Sequence, residues 1–273
     1  MGVWEALVLG IVQGIAEFLP ISSSGHLVVV QHLFGIEEGN LAFAIVLHLG
    51  TLLSILIAYK EACFGVLREF FAMCWDIARL RGPRLASSKY RFYILYIIIA
   101  SVPAGIVGVL FNDAVESAFS SIYIVTVSFY ASALILLVGD RMGRGNKGVI
   151  EKMGPLRAFA VGIFQMAAIM PGITRSGTTL TGGVVCGLKK EDALEMSFLM
   201  AVPAILGSFL LEFSDIFEMI GNVNVLPVAV GFAASLACGI ASIALFRKIV
   251  RDGSIAVFSA YLIALGTVLV FVV

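Results

Sequence analysis

The strongest constraint on this chain is a set of long apolar stretches with few or no charged residues. Two of them, 225–246 and 254–273, contain no charge at all. About 20 consecutive apolar residues in a helix cross the roughly 30 Å hydrocarbon core of a bilayer. We therefore predict an all-α integral membrane protein with six transmembrane helices, at about 41–59, 92–111, 119–139, 193–211, 225–246 and 254–273.

Composition and charge agree with this class. Hydrophobic residues make up 60% of the chain and charged residues 13%, whereas soluble domains average about 50% and 25%. The formal net charge is zero, because 18 Lys and Arg balance 18 Asp and Glu. Bulk charge therefore does not indicate nucleic-acid binding, and any anion would have to be recognised by a local feature.

Two further apolar stretches, 3–34 and 158–187, are each interrupted near the middle by small and polar residues. The interruptions are LPISSSGH at 19–26 and MPGITRSGTT at 170–179. Free backbone groups at such a break must be buried in protein or line a cavity, since lipid cannot hydrogen-bond them. We predict that both stretches are re-entrant helix pairs rather than full spans.

The distribution of Lys and Arg predicts the orientation of the chain. Connections rich in these residues face the cytoplasm in multi-pass membrane proteins. Three connections concentrate basic residues, whereas three others carry acid and no base. The basic connections are 60–91, 141–157 and 247–251, and the acidic ones are 37–40, 112–117 and 212–224.

This orientation places the connection 37–40, which contains Glu37 and Glu38, on the outer side of the membrane. It places Lys189 on the cytoplasmic side. The first broken stretch then enters and leaves from outside, while the second enters and leaves from inside. The two are inverted relative to each other. The long basic connection is expected to contain an amphipathic surface helix near 61–78.

An internal repeat supports the inversion. A shift of 152 residues aligns 10–36 with 162–188, and eight of 27 positions are then identical, including Gln13 with Gln165. Inverted repeats with broken helices commonly place half-helix N-termini at a shared midplane site. We predict one polytopic domain, 1–273, with repeat 1 at about 1–140 and repeat 2 at about 155–273.

Glu17 is the first candidate for chemistry. It lies deep in apolar sequence, where a carboxylate is costly and by default functional. Gln13 is four residues earlier and shares its helix face. The alternative is a structural Glu that reaches the surface or hydrogen-bonds for packing. His48, inside the apolar stretch 41–59, either supports such a site or joins two helices.

The first break also combines hydroxyl groups with an imidazole. Serines before an apolar run cap the following helix, which accounts for one or two of them. Ser, His and Glu together are the ingredients of an activated nucleophile, although proximity in sequence shows only that they could meet. The candidate residues of this break are Ser22, Ser23, Ser24, Gly25 and His26.

The second break carries a single cation, Arg175, within long uncharged sequence. An Arg beside hydroxyls at a helix N-terminus is a phosphate-binding arrangement. The alternative is a structural ion pair with Glu17 or Glu195. The two are compatible, because an Arg facing Glu17 brings both breaks into one pocket. The neighbouring candidates for substrate binding are Thr174, Ser176, Gly177 and Thr178.

An acid, an imidazole, hydroxyls and an anion clamp suit phosphoryl transfer, where positioning and charge neutralisation supply most of the catalysis. Between membrane spans, the fitting substrate is an amphiphile whose phosphates enter the pocket while its tail stays in lipid. A divalent cation such as Mg²⁺ could be held by Glu17, Gln13 and the substrate phosphates.

At these residues the sequence resembles the bacterial and archaeal undecaprenyl-diphosphate phosphatase family, of the bacitracin-resistance type. These enzymes recycle polyprenyl diphosphate carriers for cell-envelope glycan synthesis. The resemblance covers essentially the whole chain. Its motifs are QGIAEFLPISSSGH (13–26), VLHLGTLLS (46–54), PGITRSGTT (171–179) and SFLMAVPA (197–204).

The resemblance implies hydrolysis of a polyprenyl diphosphate, dependence on Mg²⁺ or Ca²⁺, and a site open to the outer face of the plasma membrane. It also implies a catalytic Ser23 and His26 and a phosphate-binding Arg175. We favour Ser23 as nucleophile with His26 and Glu17 as its base system, and direct attack by His26 remains open. Gln13 stands where the family often has Glu, which weakens this position as a metal ligand.

The rival hypothesis is a transporter or flippase of a phosphorylated lipid or other anion, because inverted repeats with broken helices are typical of such proteins. A hydrolase needs Ser23 and His26 for chemistry, whereas a carrier needs mainly Arg175 and the helix dipoles. The predicted partners are a polyprenyl diphosphate and membrane lipids, with a homodimer left open and no nucleic acid.

Overall fold

The computed structural model describes residues 2–35, 41–119, 121–211, 213 and 225–272, and within these the chain is all-helical. Short 3₁₀ turns at Leu85–Ser87 and Ile150–Lys152 join some of the helices. The α-helices are α1 (Val3–Ala16), α2 (Ser23–Phe34), α3 (Leu41–Ala58), α4 (Lys60–Ala78), α5 (Lys89–Leu110), α6 (Asn112–Phe119), α7 (Ile122–Met142), α8 (Pro155–Ala167), α9 (Arg175–Val185), α10 (Lys190–Leu211), α11 (Val225–Asp252) and α12 (Ala256–Val272).

Long apolar helices confirm an all-α integral membrane protein. Among the described residues, α5, α7, α10 and α11 are each long and apolar enough to cross a membrane. They correspond to four of the six predicted spans. The predicted span 41–59 forms α3, which is bent by 90° from α4 and makes a fifth candidate only together with it. The last predicted span forms α12, a shorter apolar helix of 17 residues.

Both predicted breaks are present. The first separates α1 from α2 at residues 17–22, and the second separates α8 from α9 at 168–174. Gly35 and Gly187, which the internal repeat pairs, both follow these helix pairs with positive φ angles of 61° and 92°. The acidic connections predicted at 37–40, with Glu37 and Glu38, and at most of 212–224 lie outside the described residues.

The predicted amphipathic helix near 61–78 is α4. It exposes large apolar side chains, among them Phe64, Phe71 and Trp75. Its other side is tied to α5, because the Arg91 guanidinium donates to the Asp76 carboxylate at 2.8 Å. A helix with one exposed aromatic face and one ion-paired face is typical of a membrane surface position.

The two broken pairs pack against the rest of the protein through matched glycines. Gly10 of α1 faces α11 so closely that a Cβ atom there would overlap the carbonyl oxygen of Gly231. Gly162, its repeat counterpart on α8, faces α5, where a Cβ would lie 2.6 Å from the carbonyl oxygen of Ala100. Small residues permit such backbone contact between helices in membrane proteins. The identity between positions 10 and 162 therefore reflects one packing role used twice.

This packing predicts a stability difference between two Gly→Ala variants. Gly162→Ala should lower the apparent Tm in detergent, because overpacking against backbone costs about 1–3 kcal/mol. Gly105→Ala is the matched control on α5, since a Cβ there meets nothing within 4 Å. Alanine is the better helix former, so the control should hold or slightly raise the Tm. Equal Tm values for the two variants would contradict the close approach of α8 to α5.

Candidate active site

The two breaks have the same local structure. Ser22 is the N-cap of α2, and its hydroxyl accepts a hydrogen bond from the Gly25 backbone N–H at 3.3 Å. Thr174 is the N-cap of α9, and its hydroxyl accepts from the Gly177 N–H at 3.4 Å. These four residues are two pairs of the internal repeat. The capping role predicted for the serines of the first break is confirmed, and Thr174 plays the same role in the second break.

The glycine after each cap lets the two breaks pack closely against each other and against α7. A Cβ at Gly25 would lie 2.5 Å from the Phe129 ring and 3.0 Å from the Cα of Gly172 in the opposite break. A Cβ at Gly177 would lie 2.8 Å from the Cβ of Pro20, again in the opposite break. Each glycine therefore lets its helix N-terminus approach the other break, and the two N-termini meet.

Glu17 lies at the point where they meet. One carboxylate oxygen, Oε1, accepts from the guanidinium of Arg175 across the two breaks. The other, Oε2, accepts from the Ser23 hydroxyl at 2.7 Å and from the Gln13 amide at 3.0 Å. The imidazole Nε2 of His48 is 3.4 Å from the same oxygen. Glu17 is 6% exposed, so the carboxylate is buried and held from several sides.

Ser23 and Arg175 are equivalent positions that carry different chemistry. They are the first residues of α2 and α9 and are 152 residues apart. Each contacts one oxygen of Glu17, so the repeat presents a hydroxyl from one side and a cation from the other. Helix N-termini attract anions through free N–H groups and the helix dipole. The two breaks are in contact, and Arg175 pairs with Glu17 rather than with Glu195.

The hydroxyls beside Arg175 are turned into the protein. Ser176 and Thr174 are 1% exposed, and their hydroxyl oxygens lie 3.3 Å apart. Thr178 is fully buried, and its hydroxyl donates to the Thr174 carbonyl at 2.5 Å. These predicted substrate-binding residues hold the break in shape in this structure. Arg175 also donates to the Ser197 carbonyl at 3.4 Å, which orients the guanidinium.

His26 lies on the other side of the first break. Its Nδ1 is 2.8 Å from the Ser22 carbonyl oxygen, and its Nε2 is 2.7 Å from the Tyr261 hydroxyl. The Phe129 ring packs beside it at 5.5 Å between centroids. Within the described residues, no hydrogen bond joins His26 to Ser23. The structure thus pairs Ser23 with Glu17, while the imidazole faces α12.

The donors around Glu17 do not form a preformed metal site. Both of its carboxylate oxygens are engaged, one of them by a cation. The side-chain carbonyl oxygen of Gln13 is buried without a hydrogen-bond partner among the described residues. Within the described residues, no group of three or more His, Cys, Asp or Glu side chains could hold a metal ion.

Comparison with known proteins identifies the family. The family model described as "Bacitracin resistance protein BacA" matches residues 6–268. This chain belongs to that family. The match includes both breaks, Glu17, His26 and Arg175, so every residue of the site lies inside the family region.

Relatives of this BacA-family chain are similar along their whole length. The chain is 37% identical to an undecaprenyl-diphosphatase of Alkaliphilus metalliredigens, with 99% of this chain and 98% of the relative covered. It is 36% identical to an undecaprenyl-diphosphatase of Methanobrevibacter smithii, with 98% and 96% covered. A third, from Carboxydothermus hydrogenoformans, is 37% identical, with 99% and 97% covered.

Three residues that shape the site are not among the predicted site residues. Ser132 of α7 is buried and bridges the second break, donating to the Gly172 carbonyl at 2.9 Å and accepting from the Thr174 N–H at 3.0 Å. Ser197 of α10 contacts Arg175, and Tyr261 of α12 contacts His26. A single polar residue in an apolar helix indicates a functional or structural contact. The sequence does not show which contact, because the partners are 22 to 235 residues away in the chain.

The Ser132 bridge predicts a local change in hydrogen exchange. Ser132→Ala removes the acceptor of the Thr174 amide, a bond worth about 0.5–1.5 kcal/mol. Exchange of peptides covering 170–177 should therefore be roughly two- to tenfold faster by mass spectrometry. Ser117→Ala on α6, whose exposed hydroxyl donates to the Ala114 carbonyl in its own helix turn, should leave these peptides unchanged. Unaltered hydrogen exchange in Ser132→Ala would contradict the claim that Ser132 of α7 stabilises the second break.

Proposed function

We propose that this chain hydrolyses undecaprenyl diphosphate to the lipid monophosphate and inorganic phosphate. One observation carries the proposal. The Glu17 carboxylate is held between a hydroxyl, Ser23, and a cation, Arg175, where two helix N-termini meet. This set offers a nucleophile, a proton acceptor and an anion clamp. Relatives covered along nearly their whole length carry the name undecaprenyl-diphosphatase, which agrees with this chemistry.

Ser23 is the proposed nucleophile. Its hydroxyl donates to Glu17 at 2.7 Å, within the reach required of a general base. The Ser23 oxygen attacks the terminal phosphorus, its proton passes to Glu17, and the bond to the bridging oxygen breaks to release the lipid monophosphate. Water then attacks the phosphoserine and gives a proton to His26, while the bond between the Ser23 oxygen and phosphorus breaks. Ser23 takes back the proton held by Glu17, and inorganic phosphate leaves. Direct attack by His26 is the alternative, and the Ser23–Glu17 contact favours the first route.

Arg175 is the proposed phosphate clamp. Its guanidinium is paired with Glu17, a carboxylate that resembles a phosphate in charge and in its two acceptor oxygens. A diphosphate carries more charge than a carboxylate, so it competes for Arg175 and for the N–H groups of α2 and α9. The exchange frees Glu17 from its cation as the substrate arrives, which strengthens Glu17 as a base.

The membrane arrangement is part of the proposal. We infer six transmembrane helices with α1–α2 and α8–α9 as re-entrant pairs of an inverted repeat. The matched caps at Ser22 and Thr174 and the matched close approaches at Gly10 and Gly162 support the repeat. The basic connections are assigned to the cytoplasm and the site to the outer face of the plasma membrane.

A divalent cation, Mg²⁺ or Ca²⁺, is proposed to enter with the diphosphate. The residues offer one carboxylate, Glu17, and the unpartnered carbonyl oxygen of Gln13. Mg²⁺ is commonly bound by one or two carboxylates together with substrate phosphates. When bound, it would neutralise charge on the phosphates.

Transport of a phosphorylated lipid is the rival function. Broken helices and a buried Arg suit a carrier equally well. The pairing of Ser23 with Glu17 has no use in a carrier, and the names of the relatives favour hydrolysis. The two functions differ in one product, inorganic phosphate.

Phosphate release in detergent tests the function. With a C55 or C15 diphosphate, the wild type should release inorganic phosphate. Arg175→Ala and His26→Ala should lose activity by more than about 100-fold, because a clamp and a base are each removed. Glu17→Ala should be strongly reduced. Arg251→Ala is the control, since this exposed Arg forms its ion pair with the neighbouring Asp252, away from the site.

Two outcomes would change the assignment. A wild type that binds the lipid but releases no phosphate supports the carrier. A Ser23→Ala variant with near wild-type release moves the attack to His26.

Chelation tests the cation. EDTA should abolish phosphate release, and added Mg²⁺ or Ca²⁺ should restore it, because the diphosphate needs neutralisation beyond Arg175. Gln13→Glu adds a second carboxylate and should lower the Mg²⁺ concentration needed for half-maximal release. Full activity in EDTA would contradict a cation requirement.

A further inference from the structure

The hydrogen bonds of His26 fix which of its nitrogens carries the proton. Nδ1 faces the carbonyl oxygen of Ser22 at 2.8 Å, and a carbonyl only accepts, so Nδ1 is the N–H. In the neutral imidazole Nε2 is then an acceptor. Tyr261 lies 2.7 Å from Nε2, so its hydroxyl is the donor. Both ring nitrogens are therefore held in a single tautomer.

The packing fixes the ring as well as the proton. The imidazole and the Tyr261 ring are nearly parallel, 11° apart, with centroids at 5.7 Å. Phe129 of α7 contacts the imidazole at 5.5 Å and leaves it little freedom to turn. The neighbours of Tyr261 on α12, Phe258 and Leu262, are buried and anchor that helix. The position of the hydroxyl is thus set by the fold.

Tyr261 is not a core residue, since 44% of it is exposed. Its ring is open to the surroundings while its hydroxyl bonds a site residue 235 positions earlier in the chain. Packing alone does not require a hydroxyl at this place, because Phe would cover the same apolar surface. The feature that needs Tyr rather than Phe is the bond to Nε2.

We propose that Tyr261 is a positioning residue that holds the His26 imidazole in the neutral tautomer whose Nε2 is a proton acceptor. The inference rests on the proposed function, in which His26 acts as a base or nucleophile. Donation to Nε2 stabilises the unprotonated ring, the form that either role requires. Glu17, His48 and Arg175, the other charged or titratable groups of the site, have no described hydrogen bond to the imidazole.

Tyr261→Phe tests the proposal, because it removes the hydroxyl and keeps the ring. With the C15 diphosphate in detergent, kcat should fall about tenfold while KM changes by less than about twofold. The acidic limb of the pH profile of kcat/KM should move to higher pH. Without the donor the imidazole takes up a proton more readily, so activity is lost earlier as pH falls.

Tyr130→Phe is the matched control. The Tyr130 hydroxyl of α7 lies 3.0 Å from the Thr267 hydroxyl of α12. The control therefore also removes a tyrosine hydroxyl that forms a hydrogen bond between α12 and another helix. It should leave kcat and the pH profile unchanged. Equal losses in the two variants, or a loss of kcat in Tyr261→Phe with an unmoved acidic limb, assign the hydroxyl a merely structural role and overturn the proposal.

Different outcomes contradict the proposed hydrolysis and the proposed role of Tyr261. A wild type without phosphate release removes the proposed function and the role of Tyr261 with it. An active wild type and an inactive His26→Ala, together with a Tyr261→Phe variant that keeps the wild-type kcat and pH profile, remove only the role of Tyr261.

Discussion

The ion pair between Glu17 and Arg175 is the interaction on which the rest of this structure depends. Each residue interrupts apolar sequence, and a lone charge in such surroundings is strongly unfavourable. Removing one partner of a buried pair costs more than the pair itself contributes, because it leaves an uncompensated charge. The two breaks must therefore meet. The close-approach glycines, Gly25 and Gly177, remove the side chains that would keep them apart.

The two halves of the internal repeat share the structural features of the site and differ in the functional groups that they bring to it. The caps, the glycines after them and the close contacts with α11 and α5 are shared by both halves. At the first helical position the halves differ, with Ser23 in one and Arg175 in the other. Two helix N-termini thus converge on one carboxylate from opposite sides, one with a hydroxyl and the other with a cation. A symmetric pair of serines or arginines would give only one of these groups.

The two groups of the first break that can accept a proton have different partners. Glu17 is paired with Arg175. His26 is held apart from this pair by Ser22 and by Tyr261 of the last helix. Two groups that can accept a proton are therefore kept in separate environments within one site.

Sequence alone determined the membrane class, the two breaks, their internal repeat and the candidates Glu17, Ser23, His26 and Arg175, because apolar run length, glycine and serine clusters and isolated charges are local signals. Four of the six predicted spans are confirmed by length, and the pairing of both breaks follows the prediction. Only the tertiary structure decided that Ser23 bonds Glu17 while His26 faces Tyr261, and that Ser132 supports the second break. These contacts join residues that the fold alone brings together, since one apolar helix can pack against several others with similar energy.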